Sequence, residues 1–181
     1  MPGYFACGTE SRMTAALLSA TPLSMPIDGI PWSWRSLGPP ELQPLLPLVQ
    51  AADPSGTEAM NWPVDAERWL AEQPCRRGLV GVQCLAGLTL ALFFYDLKVD
   101  DSGTRHLAVE RLRWLELARP HRSLDALLAI LIDTAGRLGC SDIVIGTRAA
   151  AERTARAALD ARAEAAGFTR GPQGWRRSTS H

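Results

Sequence analysis

Hydrophobic residues follow two different periods along this chain, and the changes of period divide it into strands and helices. Alternation of apolar and polar residues over 30–37 is typical of a strand. Pro40 then suits the first turn of a helix, and leucines at helical spacing predict that this helix continues to about Ala52. A loop over 53–63 and a short helix over 64–73 follow, with Trp69 and Leu70 on the buried side of the helix.

The middle of the chain predicts three consecutive strands. Runs over 77–87 and 88–99, separated by little more than Ala86-Gly87, indicate an antiparallel hairpin. A turn over 100–104 leads to a third strand over 105–117, which we expect to be central in the sheet.

The strongest helical pattern follows, with Ser123 as the predicted N-cap and Gly139 as the predicted C′ residue. A buried strand is predicted over 141–147, an alanine-rich helix over 149–166, and a strand-turn-strand tail over 168–177. This order of elements predicts a mixed α/β sheet flanked by helices.

Length and composition favour one domain. The chain has 181 residues, of which 46% are hydrophobic, enough for one core. We expect a single domain over 28–181. Residues 1–27 are predicted to be a disordered or mis-assigned extension, with either Met1 or Met25 as the true start.

The charge and the cysteine content of the chain limit the kinds of partner and site that the sequence indicates. The formal net charge is zero, which gives no reason to expect nucleic-acid or membrane binding, although residues 104–181 carry 13 basic and 8 acidic groups. The four cysteines form no CxxC pair, so neither a zinc site nor a disulfide framework is indicated. His121 has no second ligand at metal-binding spacing. We therefore expect a cytoplasmic protein with reduced thiols and no metal.

The stretch "ELARPHRSLDALLAIL", residues 116–131, combines a strand end, a basic loop and the start of a helix. The first N–H groups of a helix lack intrahelical partners and favour an anion. This stretch therefore predicts an anion site, although it contains no glycine.

The order of elements resembles that of the GNAT superfamily of acyl-CoA N-acyltransferases. The likeness rests on this stretch with the following "GCSDIVIG", on "ARAEAAGFTR" near the end of the chain, and on the hairpin before a long fourth strand. It implies a mixed, mostly antiparallel central sheet of six or seven strands flanked by about four helices, with the fourth and fifth strands splayed apart.

The resemblance also implies where acetyl-CoA or another acyl-CoA would bind. It places pantetheine along Leu115–Leu117 and pyrophosphate over 119–124. The two loop glycines of the family correspond to Arg122 and Leu124 here, so side-chain donors would replace backbone donors. The implied cofactor-binding residues are Leu115, Leu117, Arg119, Arg122, Ser123 and Leu124.

The activity that the resemblance implies is transfer of an acetyl or other acyl group to a small-molecule or peptide amine by direct attack. Glu110, within the fourth strand, is the candidate catalytic base, with Glu116 and His106 as weaker alternatives. The simpler interpretation of Glu110, and the one we favour from sequence, is an exposed carboxylate that pairs with Arg111, with Arg113 or with a neighbouring strand. The usual tyrosine position falls on Ala163, and Tyr95 is expected to be a core or rim aromatic.

Two other functions remain open. The missing glycines and tyrosine favour a catalytically silent GNAT-like binding or regulatory module. Alternatively, the six tryptophans help to form an interaction surface, and a homodimer would be the simplest partner.

Overall fold

Eight strands and five α-helices make up the part of the chain that the computed structural model describes, residues 23–27, 30–52, 59–84, 87–116, 122–150 and 153–179. The strands are β1 (Leu23–Ile27), β2 (Ile30–Leu37), β3 (Arg77–Gln83), β4 (Thr89–Val99), β5 (Arg105–Trp114), β6 (Asp142–Gly146), β7 (Thr169–Gly171) and β8 (Gly174–Ser178). The helices are α1 (Pro39–Leu42), α2 (Leu46–Ala52), α3 (Trp62–Glu72), α4 (Arg122–Arg137) and α5 (Arg153–Ala165), with 3-10 turns at Gln43–Leu45 and Ala59–Asn61. In these ranges no helix is long and apolar enough to cross a membrane.

The strands form one sheet in the order β1-β2-β3-β4-β5-β6-β8-β7. All neighbours are antiparallel except β5 and β6, which are parallel and connected through α4, as a parallel pair requires. The predicted mixed, mostly antiparallel sheet flanked by helices is confirmed. It has one strand more than predicted, because β1 pairs with β2 through residues that the sequence places in the N-terminal extension.

Helices cover both faces of the sheet, and each face has its own core. Helices α4 and α5 pack over one face, whose core includes Phe93 and Leu107. Helices α1 to α3 cover the other face, whose core includes Trp62 and Phe94. Because consecutive residues of β4 enter opposite cores, this strand is buried on both faces, which explains its unbroken apolar run.

Helix α4 has the predicted apolar stripe, which is buried from end to end. Gly139, with φ of +65°, follows it in the left-handed conformation expected of a C′ residue. The start of the helix differs from the prediction. It begins at Arg122, so Ser123 lies within the first turn and is not the N-cap.

Two other helices begin at different residues from those predicted. Helix α3 starts earlier, at Trp62, because Pro63 suits the first turn of a helix. Trp62 and Ala66 are its buried residues, and the predicted Trp69 and Leu70 are only partly buried. Helix α5 starts later than predicted, because the Ala149 N–H donates to the Gly146 carbonyl in a turn (2.9 Å).

The cysteines differ in state. Cys75 is disulfide-bonded, so the expectation of reduced thiols is wrong at this residue. Cys84 and Cys140 are free. Burial raises the pKa of the Cys140 thiol to about 11, which keeps this side chain protonated and unreactive at neutral pH.

Gly174 joins the final hairpin to the rest of the sheet. It pairs with Gly146 of β6 and has φ of +130°. A Cβ atom at this position would lie 2.0 Å from the Ile145 carbonyl oxygen. Only glycine therefore allows β8 to approach β6 this closely.

We predict that Gly174→Ala lowers the free energy of unfolding by about 2 kcal/mol or more, through backbone strain and separation of β8 from β6. Gly146→Ala is the matched control, since its Cβ would make an ordinary 3.5 Å contact with the Val109 carbonyl oxygen. Urea unfolding of both variants measures the difference, and equal losses of stability would contradict this account.

An ionic cluster ties the starts of β5 and β6 to β8. His106 lies between two carboxylates, with Nδ1 3.1 Å from Asp142 and Nε2 3.1 Å from Asp100. Arg176 of β8 donates to Asp142 at 2.7 Å. The pKa of Asp142 is lowered, chiefly by this hydrogen bond from Arg176 and further by His106. The pKa of Asp100 is also held below its usual range, by hydrogen bonds from Ser102, Thr104 and His106.

We predict that Asp142→Asn reduces the loss of stability on acidification. Because the pKa of Asp142 is lower in the folded than in the unfolded state, its ionisation stabilises the protein at any pH above the unfolded-state pKa of about 4. This stabilisation is lost as the pH falls through the folded-state pKa. Thermal melts between pH 7 and pH 2 should show a variant that is less stable at neutral pH and falls less steeply in acid. Asp133→Asn, which removes an ion pair within α4, is the control for the general effect of losing a carboxylate.

Candidate functional site

A β-bulge on β5 determines where the sheet opens. Tyr95 of β4 pairs with Val109 and Phe94 pairs with Arg111, so Glu110 is an extra residue without a partner on β4. Strand β6 follows β5 only as far as the pair Val109 and Ile145, whereas β5 continues to Trp114. Because a bulge bends its strand, β5 leaves β6 at this point. The predicted splaying of these two strands is confirmed.

The opening between β5 and β6 holds a cavity of about 250 Å³. Its walls are the last residues of β5, the end of α2 and the first turns of α5. Alanines form much of the wall and leave the space open, and three polar residues also line it. The alanines are Ala51, Ala52, Ala150, Ala155 and Ala158, and the polar residues are Arg113, Glu116 and Thr154.

A backbone contact crosses the opening. The Ala149 carbonyl accepts hydrogen bonds from the Leu112 N–H (2.9 Å) and from Arg113 Nη1 (3.2 Å). We call this contact the Ala149 bridge. Arg113 is 6% exposed and also donates to the Leu112 carbonyl at 2.6 Å. A second cavity, of about 240 Å³ and lined by Glu110, lies on the other side of the bridge.

Glu110, the predicted base, is half-exposed in this second cavity. Its Oε1 lies 3.5 Å from Lys98 Nζ of β4, so it does pair with a neighbouring strand. Glu116 lines the first cavity. His106 lines neither, because it lies in the ionic cluster at the start of β5.

The first turn of α4 carries the positive charge of Arg122, and the negative charge of Asp125 in the same turn is balanced by an ion pair. Arg122 begins the helix, and its buried Nε has no hydrogen-bond partner within the described part of the chain. Leu124 is fully buried in the core, so its side chain leaves the helix N-terminus uncovered, and Ser123 is also buried. Both carboxylate oxygens of Asp125 accept hydrogen bonds from Arg162 of α5, each at 2.6 Å.

The structure describes only some of the remaining predicted binding residues. Leu117, Arg119 and His121 lie outside the described residues. The Leu115 N–H donates to the Leu90 carbonyl at 2.8 Å, and the Leu115 side chain packs against the core beneath α1 to α3. Its N–H is therefore engaged with β4.

No proton donor occupies the position of the family's tyrosine. Ala163 is fully buried in the core. Tyr95 is a core aromatic, one of the two settings expected for it, and packs against Phe93 with ring centroids 6.3 Å apart. Burial raises the pKa of its hydroxyl. Neither position supplies an acid to the opening.

Solved structures match the chain over most of its length. A GNAT-family acetyltransferase from Listeria monocytogenes aligns with a TM-score of 0.57 and 10% identity, covering 86% of this chain and 99% of the other. The chain has the GNAT fold. A putative phosphinothricin N-acetyltransferase gives a TM-score of 0.60 at 14% identity, with 83% and 99% covered. A putative acetyltransferase from Salmonella typhimurium, solved with its cofactor acetyl-CoA, gives 0.57 at 12% identity, with 83% and 95% covered.

Comparisons with protein-family models and with curated proteins find no match to the sequence. Similarity at these identities shows the GNAT fold, and the chemistry has to be argued from the site itself.

Sequence reasoning missed two residues of this GNAT-fold site. From sequence, Arg113 is predicted only as a possible ion-pair partner of Glu110, although an arginine in a central strand must find partners when it is buried. Ala149 was assigned to a helix, and no local signal distinguishes it from the alanines around it. Their contact joins residues 36 positions apart, so it becomes visible only in the folded chain.

We predict that Arg113→Met speeds hydrogen exchange at the Leu112 amide by roughly tenfold, because the turn that carries Ala149 loses one of its two donors. Exchange measured by NMR or mass spectrometry tests this. Arg77→Met is the control, since that strand arginine donates to Trp69 and Glu72 instead. Unchanged exchange at Leu112 would show that the arginine does not hold the turn.

Proposed function

We propose that this chain is an N-acyltransferase that moves an acetyl or other acyl group from acyl-CoA to an amine by direct attack. The observation that carries the proposal is the opening at the Glu110 bulge, which exposes the end of β5, and the next helix along the chain, α4, begins at Arg122. These features offer backbone hydrogen bonds to an amide-containing arm and N–H groups to a pyrophosphate. Acetyl-CoA is also the cofactor of the Salmonella structure with this fold.

The edge of β5 supports binding of the pantetheine arm. The Leu115 N–H faces β4, so the backbone groups of Leu112 and Trp114 face the opening, as strand alternation requires. The Leu112 N–H is taken by the Ala149 bridge. Elsewhere among the described residues nothing bonds to the Trp114 N–H or carbonyl on this edge, so these groups remain for a ligand.

The N-terminus of α4 supports binding of the pyrophosphate. Arg122 carries a buried Nε–H that has no acceptor among the described residues, and a buried donor without an acceptor costs free energy unless a ligand supplies one. The negative charge of Asp125 is balanced by Arg162. In this proposal Arg119, Arg122 and Ser123 supply side-chain donors in place of the loop glycines, while Leu124 packs beneath them.

The transfer requires an amine that gives up a proton as it attacks. The amine nitrogen forms a bond to the thioester carbonyl carbon, the bond to sulfur breaks, and the thiolate leaves. We assign Glu110 as the base that takes the proton from nitrogen, with N–H groups of β5 stabilising charge on the carbonyl oxygen. Glu116, in the first cavity, is the second candidate for the base.

A catalytically silent GNAT-like binding or regulatory module is the second candidate function. The Ala149 bridge favours it, because the bridge occupies a backbone donor of β5 and separates Glu110 from the first cavity. The buried Ala163 at the tyrosine position favours it as well.

The acceptor, in this proposal, is a small-molecule or peptide amine. One solved neighbour is described as a phosphinothricin N-acetyltransferase, which is consistent with an amine acceptor. A cytoplasmic location, a homodimer and the absence of nucleic-acid, membrane or metal partners stay predictions from the sequence.

We predict that desulfo-CoA stabilises the protein, since a ligand at about 100 times its dissociation constant adds roughly 2.7 kcal/mol. Arg122→Met should weaken binding by about tenfold, through loss of a charge-assisted hydrogen bond to phosphate. Arg137→Met, at the opposite end of α4, is the matched control and should bind normally. Titration calorimetry and thermal shift are the measurements.

Two results would contradict this assignment. Absence of stabilisation by millimolar desulfo-CoA would rule out the acyltransferase, and unchanged affinity in Arg122→Met would remove the phosphate site from α4.

We predict that Glu110→Gln lowers kcat by about 100-fold or more without changing the affinity for CoA, since loss of a general base affects proton transfer alone. Amide formation from acetyl-CoA and a panel of amines, followed by mass spectrometry, measures the rate. Glu164→Gln, on the exposed surface of α5, is the control. Wild-type turnover in Glu110→Gln would exclude it as the base, whereas CoA binding without turnover in the wild type would favour the silent module.

A further inference from the structure

A third cavity, of about 420 Å³, lies between β2, the helices α1 and α2, and the turn that joins β3 to β4. It shares no lining residue with either cavity at the opening between β5 and β6. Small-molecule sites have volumes of roughly 300–1,000 Å³ and mostly apolar walls with a few polar groups. The cavity therefore has the size of a small-molecule binding site and lies outside that opening, and we call it the Arg35 cavity. Of the residues implied for cofactor binding it includes Leu115, whose N–H is engaged with β4.

Apolar side chains form most of its wall. Five leucines and three prolines line it, among them Leu45 and Leu48 from the helical segment and Leu115 from the end of β5. Leu88, at the β3–β4 turn, also lines it and is 58% exposed. The prolines fix the backbone around the cavity, which lowers the entropy cost of ordering it around a ligand. This wall suits an apolar group of several carbon atoms.

Two opposite charges also line this apolar cavity. Arg35 Nη1 and Glu41 Oε1 are 3.7 Å apart, which is beyond hydrogen-bond distance. Arg35 Nε is buried and has no hydrogen-bond partner among the residues that the structure describes. Glu41 Oε2 accepts the Gly38 N–H at 2.9 Å, and within the described ranges Oε1 accepts no hydrogen bond. A guanidinium with one unpartnered Nε–H therefore lies beside a carboxylate oxygen that accepts no hydrogen bond from the described residues.

We propose that the Arg35 cavity binds a free α-amino acid with a large apolar side chain. The carboxylate of such a ligand pairs with Arg35, its ammonium group pairs with Glu41, and its side chain fills the leucine-lined space. A simple carboxylate would be repelled by Glu41 and a simple amine by Arg35, whereas a zwitterion satisfies both charges. The inference concerns binding alone and stands whether or not the chain transfers acyl groups.

Titration calorimetry with L-phenylalanine tests the proposal on the full chain. We expect saturable binding of one molecule per chain. Three comparison ligands each lack one feature: 3-phenylpropionate has no ammonium group, 2-phenylethylamine has no carboxylate, and glycine has no apolar side chain. Each should bind more weakly by roughly tenfold or more, as expected when a charged or well-buried contact is lost.

Substitutions of the two charged residues test whether phenylalanine binds in the Arg35 cavity. Arg35→Met and Glu41→Gln should each weaken phenylalanine binding by roughly tenfold or more. Glu41→Gln keeps an oxygen that accepts the Gly38 N–H, so the start of α1 is preserved and this variant decides the question if Arg35→Met does not fold. Arg68→Met, which removes an exposed pair with Asp65 on α3, is the control and should bind as the wild type does.

Three outcomes would overturn the proposal: no phenylalanine binding at millimolar concentration, equal affinity for 2-phenylethylamine or 3-phenylpropionate, or wild-type affinity in Glu41→Gln. Desulfo-CoA binding is measured on the same samples and should be unchanged in the cavity variants. The two titrations therefore separate failure of the amino-acid site from failure of the acyltransferase proposal.

Discussion

One extra residue in β5 is the constraint on which the rest of the site depends. Because Glu110 has no partner on β4, the register on either side of it differs by one residue. Strand β5 bends there, and β6 stops following it after Val109. The bend leaves the last residues of β5 with one edge away from β6 and places that edge beside the first turns of α5.

The opening is held in shape by contacts from elements far apart in the chain. Arg162 of α5 pairs with Asp125 of α4 and thereby neutralises a charge beside the helix N-terminus. The Ala149 bridge draws the turn after β6 against β5. These contacts have opposite consequences for ligand binding, since the first makes the N-terminus of α4 more favourable for an anion and the second narrows access to the strand.

Elements with a strong pattern were predictable, and elements whose limits depend on distant contacts were not. The buried stripe of α4 is visible as leucines at helical spacing, and Gly139 marks its end. The start of α5 was predicted too early, because Ala149 is a good helix former whose carbonyl is taken by β5 instead. The prediction of Ser123 as the N-cap is also wrong, since the helix begins one residue earlier, at Arg122. At Ala149 the local preference for a helix gave way to a tertiary contact.

By itself the sequence determined the order of elements, the mixed sheet and the basic stretch before α4, because hydrophobic period and turn residues are local properties. Only the tertiary structure decided where β5 bends, since a bulge is a matter of register between two strands. It also decided that Leu124 is buried, that Asp125 is neutralised by Arg162, and that Arg35 and Glu41 meet at an apolar cavity. Each of these depends on which side chains meet across the fold, and no spacing along the chain records that.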